Sequence, residues 1–447
     1  MTVGRHPAAL MDETVATAVD PRRWPDVAKV PDCSRARALA AEKAVRGAAA
    51  RLPLRVRFGP GEVIGATGPT LQVYDMGAFF RRIGARGPLG LGESYMAREW
   101  DTDDLVAVLA ELAELGGEFN AEAPQTPMRR HRRLRGRRAA PNPLNPANPP
   151  RPPSPQDPAS ARPQESARRH ELPGRELPKE LFAGFLDRTM TYSSAVFPGF
   201  PADHATLPAA QHYKIDRLLD LAAVGPGTQL LEIGTGWGEL AIRAAARGAR
   251  VLTVTASREE LEPARWRIAQ AGMAERATVI QRDFRRLLGT FDAIVSVEMI
   301  ESVGEENWPL YFTLLDRMLA PGGRIALQTV TMPHDRLTAC RSTPSWVRTY
   351  ALPGGQIPSV EAIEQVTGAY TGLGIAAREG FGAHYAETLR LWRERFVERT
   401  AGELASIGLD ETFRRMWTFH LACTEADFRS QRLDVQQLLL TRPGDAA

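Results

Sequence analysis

The sequence predicts an α/β protein: a doubly wound parallel sheet with helices on both faces, preceded by a small α+β unit and a Pro/Arg-rich linker. Three observations carry that expectation. Between residues 229 and 330 short apolar runs alternate with helical periodicity, the pattern of strands joined by crossover helices. Between Pro124 and Pro163 that periodicity gives way to Pro, Asn, Ser and Arg, the composition of an extended or disordered linker. The chain also has 447 residues, 43% of them hydrophobic, more than one domain of roughly 100–200 residues uses. The expected boundaries are 1–123, 124–170 and 171–447.

In the first unit, Leu54 to Phe58 and Thr70 to Tyr74 read as strands around the turn residues Gly59, Pro60 and Gly61. A helix follows from Asp75 to Arg82. Another is expected from Asp101 to Leu115, opened by cap candidates and carrying Leu105, Val108, Leu109 and Leu112 on one face. Between them Gly92 to Asp101 interleaves aromatics and acids, and taken alone reads as a turn around a buried Trp100. In the last unit, strands are expected at 229–233, 251–255, 278–281, 291–297 and 324–330. The helices between them span 239–247, 259–271 and 308–319, the last closed by Ala320-Pro321-Gly322-Gly323.

Net charge is only +3, so the chain is not a globally basic nucleic-acid binder. Of 56 basic residues 52 are arginines, and seven of these stand between Arg129 and Arg138, a block able to attract anionic headgroups. Cys33, Cys340 and Cys423 form no C-x-x-C pair, which argues against a zinc cluster or a disulfide framework and fits a reducing, cytoplasmic setting. Apolar runs stay short of the roughly 18 residues that span a bilayer, so peripheral contact with the inner membrane face is expected.

Chemistry concentrates at the strand ends. Leu230 to Gly238 (LLEIGTGWG) places Gly234, Gly236 and Gly238 where the first strand turns into its helix, which lets backbone pass close to a ligand. The spacing misses the dinucleotide fingerprint G-x-G-x-x-G, and no P-loop Lys follows. Thr255, Asp283-Phe284 and Glu298 end the next three strands at the carboxyl edge, where open α/β sheets hold ligands. An acid beside an aromatic suits an adenine ring. This is the layout of a Rossmann-like S-adenosylmethionine (SAM) methyltransferase.

Five segments extend the likeness: GESYMAREWDTDDL at 92–105, MTYSSAVF at 190–197, LLEIGTGWG, SVEMIESVG at 296–304 and AHYAETLRLWRERF at 383–396. In these the chain resembles the cyclopropane fatty acid synthases, over nearly its whole length. Met299 to Ser302 and Gln328 to His334 look most like actinobacterial members linked to 10-methyl, tuberculostearic-type fatty acids. The resemblance implies a lipid-binding first unit and an unsaturated phospholipid as substrate, whose cis double bond takes a methyl group and becomes a carbocation. It places Gly234, Gly236, Trp237 and Gly238 beside SAM, Thr255 and Glu260 near its ribose, Asp283 and Phe284 at its adenine, and Tyr192 and Ser193 at its sulfonium end. It also implies a bound bicarbonate as base, with Glu301, Tyr385, Ser194 and Gln328 at the matching positions. Cys423 matches a cysteine with an assigned active-site role, although carbocation chemistry needs no thiolate and a packing role is favoured.

The chain departs from the family in three places. Ser194 stands where many members have Cys, and Gln328 where many have His; both can still hydrogen-bond an oxyanion. A His-Tyr-Asp-type stretch that closes over SAM is replaced by Gly174-Arg175-Glu176-Leu177-Pro178-Lys179, with Arg175 a candidate for the SAM carboxylate. Two products are open, a cyclopropane or a 10-methylene chain, and the second needs a flavin- or NADPH-dependent reductase partner to become 10-methyl. A lipid-binding scaffold that has lost turnover and a small-molecule C-methyltransferase are the alternatives.

Overall fold

The computed structural model describes residues 19–113, 171–172, 175–341 and 345–444. The Arg129–Arg138 block and the whole expected linker lie outside those residues.

In the first unit β1 (Arg55–Phe58) pairs antiparallel with β2 (Glu62–Ile64) and parallel with β3 (Thr70–Val73), and β3 carries β4 (Trp100–Thr102) antiparallel on its other edge. Side-chain caps set the helix starts: Ser34 accepts from the Arg37 N–H before helix Arg35–Arg51, and Asp75 from Ala78 before helix Met76–Arg86. Pro88 opens helix Pro88–Met96, where its missing N–H costs nothing. The helix expected from Asp101 instead begins at Leu105, with Asp104 accepting from the Ala107 N–H at 3.0 Å. The residues before it became β4, because pairing with β3 satisfies backbone groups while Trp100 is wholly buried.

After a short ribbon of β5 (Glu171–Leu172) and β6 (Arg175–Glu176), seven strands form the main sheet: β7 (Gln229–Ile233), β8 (Arg250–Thr255), β9 (Ala277–Gln281), β10 (Phe291–Val297), β11 (Leu319–Thr331), β12 (Gly374–Gly380) and β13 (Asp434–Thr441). Their order is β12-β13-β11-β10-β7-β8-β9. The five strands read from sequence are all present and parallel, but the sheet is not parallel throughout, because β13 runs antiparallel to both β11 and β12. The reason is the connection. Helices Gly382–Val397 and Glu411–Arg429 pack against each other and return the chain to the edge it left, where the Phe381 N–H donates to the Val435 carbonyl at 2.9 Å. A strand entering from that edge must run backwards.

Those two helices also join the units. Phe79, Trp100 and Leu109 of the first unit share one core with Trp392, Phe413 and Phe419. Arg415, 6% exposed, fastens the joint: Nε donates to the Tyr95 carbonyl at 2.6 Å, Nη2 to the Trp100 carbonyl at 3.1 Å and Nη1 to Asp101 at 2.9 Å. Its guanidinium also lies 3.8 Å from the Tyr95 ring centre.

Candidate active site

The strand order reverses between β7 and β10, and the glycine loop opens there. Gly234, Gly236 and Gly238 have φ of 99°, 48° and 89°, the left-handed region that other residues enter at a cost. A Cβ on Gly234 would lie 2.6 Å from Met299 Cγ, whereas one on Gly236 would meet no atom within 4 Å. Gly236 thus borders open space, a cavity of about 750 Å³. Tyr192, Ser193, Gly234, Gly236, Trp237, Thr255, Glu260, Asp283 and Phe284 all line it. Gly238 alone among the expected cofactor residues does not; it caps helix Glu239–Ala246, with its Cβ position 3.4 Å from Ala264.

Within this cavity Thr255 Oγ1 donates to Glu260 at 2.6 Å. The Asp283 carboxylate accepts from Arg285 Nε at 2.9 Å on both oxygens, so an adenine amine would share an acceptor already in use. Glu176, from the segment that departs from the family, closes one wall. Its carboxylate accepts from the Glu259 N–H at 3.0 Å and the Arg258 N–H at 3.3 Å, capping helix Arg258–Gln270 from outside it. The Arg175 side chain lies outside the described residues. Two buried groups at the back were not expected from sequence. Burial pushes the Glu232 carboxyl up to about 8 and the Lys214 amine down to about 8, and Lys214 Nζ donates to Ser193 Oγ at 2.5 Å.

A second cavity of about 550 Å³ adjoins the first at Tyr192, which borders both. Its wall is mainly apolar and comes from both units: Leu71, Phe79 and Leu109 on one side, Val330, Trp346 and Phe419 on the other. The turn containing helix Ile300–Val303 divides the two spaces. Met299, Ser302 and Val303 face the first, and Glu298 and Glu301 the second. Cys423 and His420 also line the second cavity. Burial pushes the Cys423 thiol up to about 12, which keeps it protonated and fits packing rather than nucleophilic work. Burial pushes the His420 imidazole down to about 4.

Four expected catalytic residues divide unequally. Three of them converge on a carboxylate, and it is that of Glu298. Tyr385 Oη donates to Glu298 Oε2 at 2.7 Å; the Ser194 backbone N–H and Gln328 Nε2 donate to Oε1 at 3.0 and 2.9 Å. Ser194 therefore contributes its backbone, while its hydroxyl donates to the Ala195 carbonyl at 3.0 Å. Gln437 Nε2 donates to the Gln328 carbonyl oxygen at 3.1 Å and so fixes which end of that amide faces Glu298. Glu301 is held nearby: its Oε1 accepts from the Val330 N–H at 2.7 Å and from Thr329 Oγ1 at 3.1 Å. Glu298 itself has φ of 50°, a left-handed conformation costing about 1–2 kcal/mol for a residue with a side chain.

The family model for mycolic acid cyclopropane synthetase matches residues 167–438, well over half the chain. The chain belongs to that family. Family members are SAM-dependent methyltransferases, and so is this protein. Tuberculostearic acid methyltransferase UfaA1 of Mycobacterium tuberculosis is 45% identical over 97% of this chain and 98% of its own length. Cyclopropane-fatty-acyl-phospholipid synthase of Escherichia coli is 31% identical over 81% of this chain and 86% of its own. Among solved structures, mycolic acid cyclopropane synthase CmaA1 complexed with SAH and CTAB superposes with a TM-score of 0.54 at 27% identity, covering 62% of this chain and 96% of that one.

Lys214, Glu232 and Glu176 are site residues given no role from sequence, and Glu298 reads there only as a residue at a strand's carboxyl end. Two signals were available. SVEMIESVG holds two acids three residues apart, close enough to share one side of a helical turn. Lys214 is one of only four lysines in the chain and sits among the apolar residues of helix Leu207–Leu221.

Proposed function

We propose that this methyltransferase acts on the cis double bond of an unsaturated acyl chain carried by phospholipid, giving a 10-methylene chain that a flavin- or NADPH-dependent reductase then converts to 10-methyl. The observation that carries the reading is the pair of adjoining cavities, the more polar one at the glycine loop and an apolar one bordered by buried carboxylates, meeting at Tyr192. Bound in the first, SAM supplies an electrophilic methyl group. The Gly234–Gly238 loop gives it room, and Tyr192 and Ser193 stand where it must face the second cavity. The apolar walls exclude water, which would otherwise capture a carbocation. Tyr192 packs edge-on to Phe182 at 5.3 Å and beside Trp392 at 5.2 Å, buried rings that hold it at the crossing point.

The name of the 45% identical relative supports the methylene product over the cyclopropane. Docking on the inner membrane face, through the Arg129–Arg138 block and the first unit, completes the reading, because the substrate must leave a bilayer to enter the apolar cavity. The test is incubation of the protein with SAM and dioleoyl-phosphatidylglycerol vesicles, followed by mass spectrometry of the acyl chains before and after ozonolysis. A methylene branch is cut to a ketone and a cyclopropane survives. Acyl chains with no added mass would overturn the substrate; an ozone-resistant product would overturn the methylene.

A further inference from the structure

The resemblance brings a bicarbonate ion with it, and the donors in this chain do not fit one. A bound oxyanion needs hydrogen-bond donors aimed at an open place. Here the Tyr385 hydroxyl, the Ser194 N–H and the Gln328 amide, from three separate segments, all end on Glu298 at 2.7–3.0 Å. Each donor has one proton in that direction and it is taken. Gln437 holds Gln328 so that its amide cannot turn its oxygen to the same point.

We infer that the Glu298 carboxylate is this enzyme's built-in counterpart of the bicarbonate, the base that takes the last proton of the reaction. Three features place it in that role. A glutamate in a left-handed conformation persists only where surrounding structure holds it, and strain of this kind gathers at functional sites. The residue is 3% exposed and borders the same apolar cavity as Tyr192, so it faces the acyl chain rather than bulk water. A carboxylate has about four acceptor positions. Three are filled by the named donors, two on Oε1 and one on Oε2, which leaves a lone pair on Oε2 for an incoming proton.

The step balances. Methyl transfer leaves a carbocation on the chain and turns the sulfonium into a thioether. A C–H bond of the transferred carbon breaks, its electron pair forms the methylene double bond after a hydride shift, or the ring bond without one, and the proton goes to Glu298 Oε2. Cation and carboxylate become a neutral hydrocarbon and a carboxylic acid, and the acid returns its proton to water once product leaves. Tyr385, Ser194 and Gln328 are positioning residues that hold the carboxylate toward the chain.

This inference rests on the acyl-lipid reading, and the two can fail separately. Parent, Glu298→Gln and Glu298→Gly are assayed with SAM and dioleoyl-phosphatidylglycerol vesicles in CO₂-free buffer and again with added bicarbonate, and SAH binding is measured calorimetrically for each. The parent should turn over equally in both buffers. Glu298→Gln, which keeps the shape and removes the base, should lose about 10²–10⁴-fold in turnover with SAH affinity within about threefold of parent. Glu298→Gly relieves the backbone strain and empties the anion place, so it should be as inactive without bicarbonate and regain at least about tenfold when it is added. A parent stimulated about tenfold by bicarbonate, a Glu298→Gln enzyme within about threefold of parent, or a Glu298→Gly enzyme that binds SAH but gains nothing from bicarbonate would each overturn the assignment. A parent that binds SAH and methylates no acyl chain overturns the substrate reading beneath it, and shows this before any variant is compared.

Discussion

Gly236 shows what a single residue contributes when its backbone faces a ligand. Its φ of 48° and the empty space beyond its missing Cβ mean that Gly236→Val adds bulk only toward the first cavity, with a backbone penalty of about 1–2 kcal/mol. Calorimetry should find SAH binding lost while the far-UV spectrum stays that of the parent; unchanged affinity would remove the loop from the cofactor site. His420 carries a pH signature. Its imidazole titrates near 4 when folded against an ordinary value of 6.5, so the unfolded chain binds the extra proton between those values. Stability should be full above about pH 6.5 and fall as pH drops toward 4. His420→Leu should flatten that part of a urea-midpoint profile, and an equal slope in both proteins would show that other groups cause it. The glycines were legible in the sequence because their backbone demand leaves few substitutes. The choice between Glu298 and Glu301 was not. Both belong to one motif, and what separates them is a left-handed turn and three donors from residues 194, 328 and 385, which no local pattern brings together.

At the scale of elements, the parallel strands could be read because each is an apolar run bounded by turn residues and followed by a helix. The reversal of β13 was hidden, since an antiparallel central strand has the same buried pattern, and its direction follows from a helix pair lying between it and β12. Helix Arg35–Arg51 was missed for a different reason: eight of its 17 residues are alanine, which favours helix without marking a strong apolar face. The segment from Gly174 to Lys179 looked like a damaged wall, yet Glu176 uses it to cap helix Arg258–Gln270 beside the cavity. Glu176→Ala should cost about 1 kcal/mol of stability in urea denaturation and weaken SAH binding several-fold. A variant with parental affinity would make this cap structural only.

For the molecule as a whole, the second cavity is walled by both units, and Arg415 is one of the residues that span them, beside the Tyr350–Glu93 and Trp24–Asp410 hydrogen bonds. Arg415→Met keeps much of the length and removes the charge, leaving Asp101 without its buried partner and the Tyr95 carbonyl with only backbone donors such as the Arg98 N–H. The expected loss is about 1.5–3 kcal/mol, with backbone hydrogen exchange rising first across residues 55–109 and the main sheet protected longer. Equal urea midpoints for variant and parent would show that the joint holds without Arg415. The same joint governs how the chain is made. Tyr95 leaves the ribosome 320 residues before Arg415, an interval of about 16–64 s at roughly 5–20 residues per second. Throughout it helix Leu105–Ala113, with Leu109, lacks helix Glu411–Arg429, which later packs against it. The apolar surfaces that later wall the second cavity are thus among those a nascent chain carries uncovered, where exposed apolar surface favours aggregation.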